Sequence, residues 1–213
     1  CPDMVALPGG EFMMGSPETE KERKDNEGPQ WRATIESFAA SATEITWGQI
    51  KTCIAAGGCA GNQAGAETRS DQWQQSALPV INITWVEATA YIDWLTDTQA
   101  NFNATRSYND SPRGSWPRRP MPAGYYPANA FGLHEMHGNV AEWVADCSVR
   151  SYLGRFGTAR VYDERNCRTR AVRGGSWEKV PSYVRSAIRD GFPDTGRDDG
   201  IGFRVARATT GPS

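Results

Sequence analysis

The 213-residue chain is poor in histidine: there are two, His134 and His137. That scarcity leaves little material for a histidine-rich metal centre or a Ser–His triad. There is no excess of positive charge, since 23 Lys+Arg stand against 25 Asp+Glu for a formal −2. A surface that neutralises phosphates needs such an excess, so nucleic acid is excluded as a partner. No apolar run reaches the roughly 20 residues of a membrane-spanning helix, so no membrane-spanning segment is expected. His134 and His137 stand three apart, but two imidazoles without further ligands read as packing residues.

What is present is turn-rich and aromatic: Gly 22, Pro 13 and Trp 8. These numbers imply short strands, many turns and large aromatic anchors. The five cysteines lie at 1, 53, 59, 147 and 167. Cys53 and Cys59 flank a short loop and Cys147 and Cys167 a longer one, so both pairs are expected as disulfides. The longer loop would gain roughly 3 kcal/mol from closure. Two disulfides imply an oxidising compartment, periplasmic or secreted. Cys1 is the odd one out.

"MVALPGGEFMMGS" reads as a hairpin pairing Val5 and Leu7 with Phe12 and Met14 across Pro8-Gly9-Gly10. "PETEKERKDNEGPQ" (17–30) reads as a solvated charged loop, and "RATIESFAASATEI" as mostly strand. Two capping boxes follow, Thr46 with Gln49 and Thr84 with Glu87, and each opens a helix. The first helix is expected to end at Gly57-Gly58. The second buries Trp85, Ala88, Tyr91, Ile92 and Leu95 on one face. "RAVRGGSW" and "IGFRVAR" read as late strands, and no domain boundary or internal repeat appears. The chain is therefore an α+β domain with its function on loops.

Four stretches occur in order: "LPGGEFMMGS", "PVINITWVEATAYIDWL", "NAFGLHEMHGNVAEWVAD" and "RAVRGGSW" followed by "GFRVAR". Together they resemble the formylglycine-generating enzyme, or sulfatase-modifying factor, family. The resemblance implies one such domain over residues 1–213, with a C-type-lectin-like fold of low regular secondary structure, two helices and short antiparallel strands. It also implies Ca2+, held by the carboxylates of Glu135 and Glu142 and the carbonyls of Gly138 and Val140. Hard oxygens at that spacing suit the ion. A second family calcium site would fall near Asn101-Phe102, where the expected acid is replaced by Arg113.

Two departures stand out. The family's oxidases bind copper(I) through a cysteine pair after the GGS word, and the matching positions here are Lys179 and Val184. Neither supplies the soft thiolate that copper(I) needs, so no copper is expected. Ser176 matches a family active-site serine but has no thiol or base beside it in sequence. The family's Arg-Leu-Pro-Thr word and following helix are also missing, since only "TDTQ" separates Leu95 from "ANFNAT".

The stretch from Arg173 to Arg204 looks like a rigid frame around variable tips. Arg185, Arg189 and Arg204 are expected to anchor it through forked hydrogen bonds. Glu178, Lys179, Tyr183, Ile188, Phe192, Asp194, Thr195, Asp198 and Asp199 are expected to face outward. The ligand-binding set is Trp177, Glu178, Lys179, Tyr183, Arg189, Phe192 and Asp194, for a small-molecule or protein ligand. The first reading is a non-catalytic, calcium-stabilised binding module. The alternative is a family enzyme with rewired chemistry on a phenolic or peptide substrate, such as the periplasmic oxidation that matures a pyoverdine chromophore. A true formylglycine-generating oxidase comes last, for want of the cysteine pair.

Overall fold

In the computed structural model, residues 2–55, 59, 75–94, 116–153, 157–158, 161–164 and 166–208 are described. Cys1, Gly57-Gly58, the side chain of Ile92, Leu95, Asn101-Phe102 and Arg113 lie outside this set. The architecture is α+β, and the described residues form two α-helices and short strands in three small sheets. Strand pairing is not purely antiparallel. Strand β3 (Trp31–Ile35) pairs in parallel with β6 (Gly157–Thr158), and β5 (Ala141–Cys147) with β9 (Ile201–Phe203).

The expected first hairpin does not form. β1 (Met4–Leu7) pairs with β4 (Phe38–Ser41), while β2 (Gly10–Met14) pairs with β3. Two adjacent strands thus enter different sheets. Gly9 makes the parting possible, because a Cβ there would sit 2.8 Å from Ser37 N and 2.9 Å from the Ile35 carbonyl. A proline–glycine turn signal cannot tell a hairpin from a crossing at which a second chain segment comes this close.

Both capping boxes form. The Gln49 and Glu87 side chains accept from the Thr46 and Thr84 amides at 2.8 Å, and the threonine hydroxyls accept from the N3 amides in return. Helices α1 (Trp47–Ala55) and α2 (Trp85–Trp94) follow. Ala88 and Tyr91 enter the main core with Ile50, Ile81, Ile83, Val140, Trp143 and Phe203. The Tyr91 and Phe203 rings meet edge to face at 5.4 Å, a geometry that adds to simple burial. Cys53–Cys59 and Cys147–Cys167 are both disulfides.

A four-stranded sheet runs β8-β7-β5-β9, with β7 at Thr169–Arg173 and β8 at Asp190–Pro193. The last strand, β10 (Ala206–Ala208), turns away to pair with β4 after Phe203. "IGFRVAR" is thus two strands in two sheets, not one.

Candidate functional site

The loop after β7 is held by close packing and by arginines. Gly174 and Gly175 adopt φ of 85° and 69°. A Cβ on Gly175 would lie 2.5 Å from the Tyr183 carbonyl, so only glycine fits. Trp177, named in the expected ligand-binding set, is only 8 % exposed. Its amide donates to the Asn139 carbonyl at 2.7 Å and its indole N–H to the Asp199 carbonyl at 3.1 Å. A large ring with one donor gains more by closing the frame than by facing water.

Three arginines complete the frame. Arg185 makes a two-pronged pair with buried Glu27 at 2.6 and 2.9 Å, and adds Glu20 at 2.6 Å. Arg189 donates to the Asn26 and Val149 carbonyls at 2.7 and 2.6 Å and covers the Tyr152 ring. It therefore anchors the frame, and its guanidinium is committed to this protein's own backbone. Arg204 grips both oxygens of Glu142 and also reaches the Ser41 carbonyl. Residues 17–30 are consequently not a solvated loop, because Glu20, Glu27, Asn26 and Lys24 dock on the frame. The burial of Glu27 alone would raise its pKa. Bonds from Arg185, Ser16 and the Lys24 amide outweigh that and hold the carboxyl below its usual value. The same acids hold the Arg185 pKa above its usual value against the opposing effect of burial.

Behind this frame lies a cavity of about 140 Å³. Val172, Ile188, Phe192 and Ile201 supply apolar walls, and Ser176, Lys179, Asp190 and Asp198 the polar ones. Ile188, expected at the surface, is 2 % exposed and belongs to the wall. The Ser176 hydroxyl is buried and has no hydrogen-bond partner among the described residues. A buried hydroxyl without a partner is costly, so the cavity is a place where a ligand can repay burial. Gly200 keeps the space open: a Cβ there would stand 2.8 Å from Ser176 Oγ and 3.1 Å from Asp198 Oδ1.

Charge gathers around the cavity. Lys179 donates to Glu178 at 3.0 Å. Burial pulls the lysine's pKa down, but Glu178, Asp198 and Asp190 outweigh it and hold the ammonium above its ordinary value. Lys24 donates to Asp190 at 2.6 Å and sits 4.2 Å over the Tyr183 ring. The expected ligand-binding set is thus split. Lys179 and Phe192 line the cavity, while Glu178 and Tyr183 reach it through the two lysines. Trp177 and Arg189 brace it from behind. Asp194 is not among the lining residues, and its carbonyl takes the Trp85 amide at 3.1 Å. Of the two positions that match the family's copper cysteines, Lys179 lines the cavity and Val184 is buried against Gly175.

Sequence reasoning missed Lys24, Asp190 and Gly200. The one available signal was that buried arginines at 185 and 189 need partners, and residues 18–27 hold a dense group of acids.

The residues expected to hold calcium are arranged differently. Both Glu142 oxygens are taken by Arg204, and Glu135 accepts from the Tyr126 and Gly124 amides at 3.1 and 3.3 Å. Glu135 also shares a hydrogen bond with Glu44, which in turn accepts from Asn139 at 2.7 Å. Burial, followed by the neighbouring charge of Glu135, pushes the Glu44 carboxyl well above its usual value. Placed so, Glu135, Gly138, Val140 and Glu142 do not fit a calcium shell, since an arginine already supplies the cation. Among the described residues, Cys147, Asp163 and Cys167 also lie together, but the two sulfurs are joined as a disulfide and offer no thiolate to a metal. The two histidines bond backbone carbonyls, His134 to Tyr126 and His137 to Val184, both at 2.7 Å.

The sulfatase-modifying factor enzyme 1-like domain matches residues 1–108 and 97–209. The chain belongs to this family. Among known proteins, the hercynine oxygenase of Mycolicibacterium smegmatis is 27% identical over 95% of the chain. The formylglycine-generating enzyme of Streptomyces coelicolor is 25% identical over 95% of the chain and 88% of its own length. The Chlamydia caviae serine/threonine-protein kinase pkn1 is 23% identical over 96% of the chain. The chain spans 38% of that kinase and 60% of the hercynine oxygenase. Among solved structures, PvdO from Pseudomonas aeruginosa superposes with a TM-score of 0.82 at 28% identity, covering 98% of this chain and 95% of that one. The Treponema denticola variable protein 1 matches at a TM-score of 0.67 with 15% identity, covering 97% of this chain and 95% of that one, a likeness of fold alone.

Proposed function

We propose that this chain is an extracytoplasmic family enzyme with rewired chemistry, acting on a ring-sized phenolic group without a thiol pair. One observation carries the reading: a buried, unpartnered Ser176 hydroxyl in a cavity of about 140 Å³ that also holds Lys179 and Asp198. A cavity of ~150 Å³ accommodates one benzene ring, so a single phenolic ring matches the space. Its faces would lie on Val172, Ile188 and Phe192. Its oxygen would meet the Ser176 hydroxyl and the Lys179 ammonium. Lys179 stabilises the phenolate, and the phenolic proton passes to Asp198 or to solvent.

Deprotonation makes such a ring easier to oxidise. The full step proposed is oxidation of a catechol-type ring by dioxygen, giving the quinone and hydrogen peroxide. Pyoverdine-chromophore maturation is a reaction of this kind. Relatives named as an oxygenase and as formylglycine-generating enzymes support an oxidative class. The two disulfides support the compartment.

The test is binding of 4-methylcatechol and N-acetyltyrosinamide, followed by tryptophan fluorescence, with oxygen uptake measured in parallel. Wild type is expected to bind at least one probe, Gly200→Ala to lose that binding, and Lys179→Met to keep weak binding with no turnover. Equal binding by wild type and Gly200→Ala would overturn the reading. A second reading, the non-catalytic binding module, is favoured by Tyr183, which is 40 % exposed beside Lys24 at the outer face. Binding lost in Tyr183→Ala but kept in Gly200→Ala, with no oxygen uptake, would select it.

A further inference from the structure

We propose that the Cys147–Cys167 disulfide is an exchange site, at which a small thiol attacks Cys167 and Cys147 departs. The two sulfurs sit in unlike surroundings. Cys147 is buried at 4 % exposure, while Cys167 is half-buried and accessible. An incoming thiolate therefore meets the Cys167 sulfur, and the displaced sulfur is Cys147. Exchange runs faster when the departing sulfur is stabilised as an anion.

That stabilisation is built in around Cys147. The Glu164 amide donates to its Sγ at 3.2 Å, and the Arg170 guanidinium lies 4.0 Å away. Arg170 is fixed in place: it donates to the Ala145 carbonyl at 2.8 Å and stacks 3.9 Å over the Trp85 ring. One group opposes the anion. The Asp163 carboxylate is 3.6 Å from Cys147 Sγ, but Arg170 already pairs it at 2.8 Å. Asp146 accepts from the Tyr162 amide at 2.9 Å. A buried sulfur beside an arginine and an inward-pointing amide is the setting that favours thiolate.

The step balances. The attacking thiolate forms a new S–S bond to Cys167, the Cys147–Cys167 bond breaks, and its electron pair stays on Cys147. The product is a mixed disulfide at Cys167 and a free thiolate at Cys147. A second thiol then releases the dithiol, with the two thiols oxidised to their own disulfide. The thiol class is a small tripeptide-type or protein thiol. In the Cys53–Cys59 disulfide, Cys53 lies in the main core and Cys59 packs against it.

The experiment treats the oxidised full chain with reduced glutathione, traps free thiols with N-ethylmaleimide, and maps labels by peptide mass spectrometry. Glutathione is expected on Cys167, maleimide on Cys147, and Cys53–Cys59 intact. Asp163→Asn removes the opposing carboxylate at an exposed position and is expected to speed exchange several-fold. Arg170→Met is expected to slow it about tenfold. Glutathione on Cys147, prior opening of Cys53–Cys59, no adduct under these conditions, or an unchanged rate in Asp163→Asn would each overturn the proposal.

Discussion

Replacing Glu27 by Gln tests whether the frame is held from the N-terminal segment. Glu27 is fully buried and meets Arg185 at 2.6 and 2.9 Å, Ser16 at 2.8 Å and the Lys24 amide at 3.0 Å. Breaking one side of a buried ion pair costs about 3–5 kcal/mol, because the surviving charge stays desolvated. Arg185 keeps Glu20 at 2.6 Å, and the glutamine carbonyl still accepts, so the lower end applies. About 3 kcal/mol in a chain of this size lowers Tm by about 6–12 °C. Differential scanning calorimetry and urea melts measure it. The double variant Glu27→Gln with Arg185→Met should cost less than the sum of the two single changes, since it removes the orphaned charge. A Glu27→Gln loss under about 1 kcal/mol, or strictly additive costs, would refute the idea that this pair clamps the loop.

Other outcomes follow from the same geometry. Gly200→Ala should cost about 1–3 kcal/mol, lowering Tm by about 2–12 °C, while abolishing ring binding, because the added methyl stands 2.8 Å from the buried Ser176 Oγ within the cavity. The raised carboxyls of Glu44 and Glu135 contribute stability that is complete below the unfolded carboxylate value, about 4.3. That stability is lost as pH rises through their folded values. Urea midpoints should therefore fall on the alkaline side, and Glu44→Gln should flatten that limb; an unchanged slope would assign it elsewhere. The lowered Glu27 has the opposite sign, so its contribution is present above the unfolded value and lost as pH falls through the folded one. Chelation with EGTA should leave Tm unmoved if Arg204 is the cation on Glu142, whereas calcium retained through gel filtration would show that Arg204 moves aside.

Local rules read from the chain covered much of the fold. Both capping boxes, both disulfides and the strands around Trp31–Ser41 and Arg170–Arg173 depend on residues near one another in sequence, or on cysteine spacing. The glycines of the GGSW word likewise announce tight packing. Partner choice across more than 100 residues is not written locally. Nothing in Pro17–Gln30 distinguishes a solvated charged run from one whose Glu27 is buried on Arg185, because both need the same acids. Nor does alternation within "IGFRVAR" reveal that the chain changes sheets at Arg204.

By itself, the sequence determined the family, the absence of the thiol pair at Lys179 and Val184, and the arginine frame. Tertiary structure alone decided which side chains face the cavity. Trp177 and Ile188 turn inward because apolar area leaves water wherever the packing allows. Lys24 arrives from 166 positions away to pair with Asp190 at 2.6 Å, a partnership that only the folded chain brings together. Gly200 matters through a volume that exists only once Ser176 and Asp198 have been folded around it.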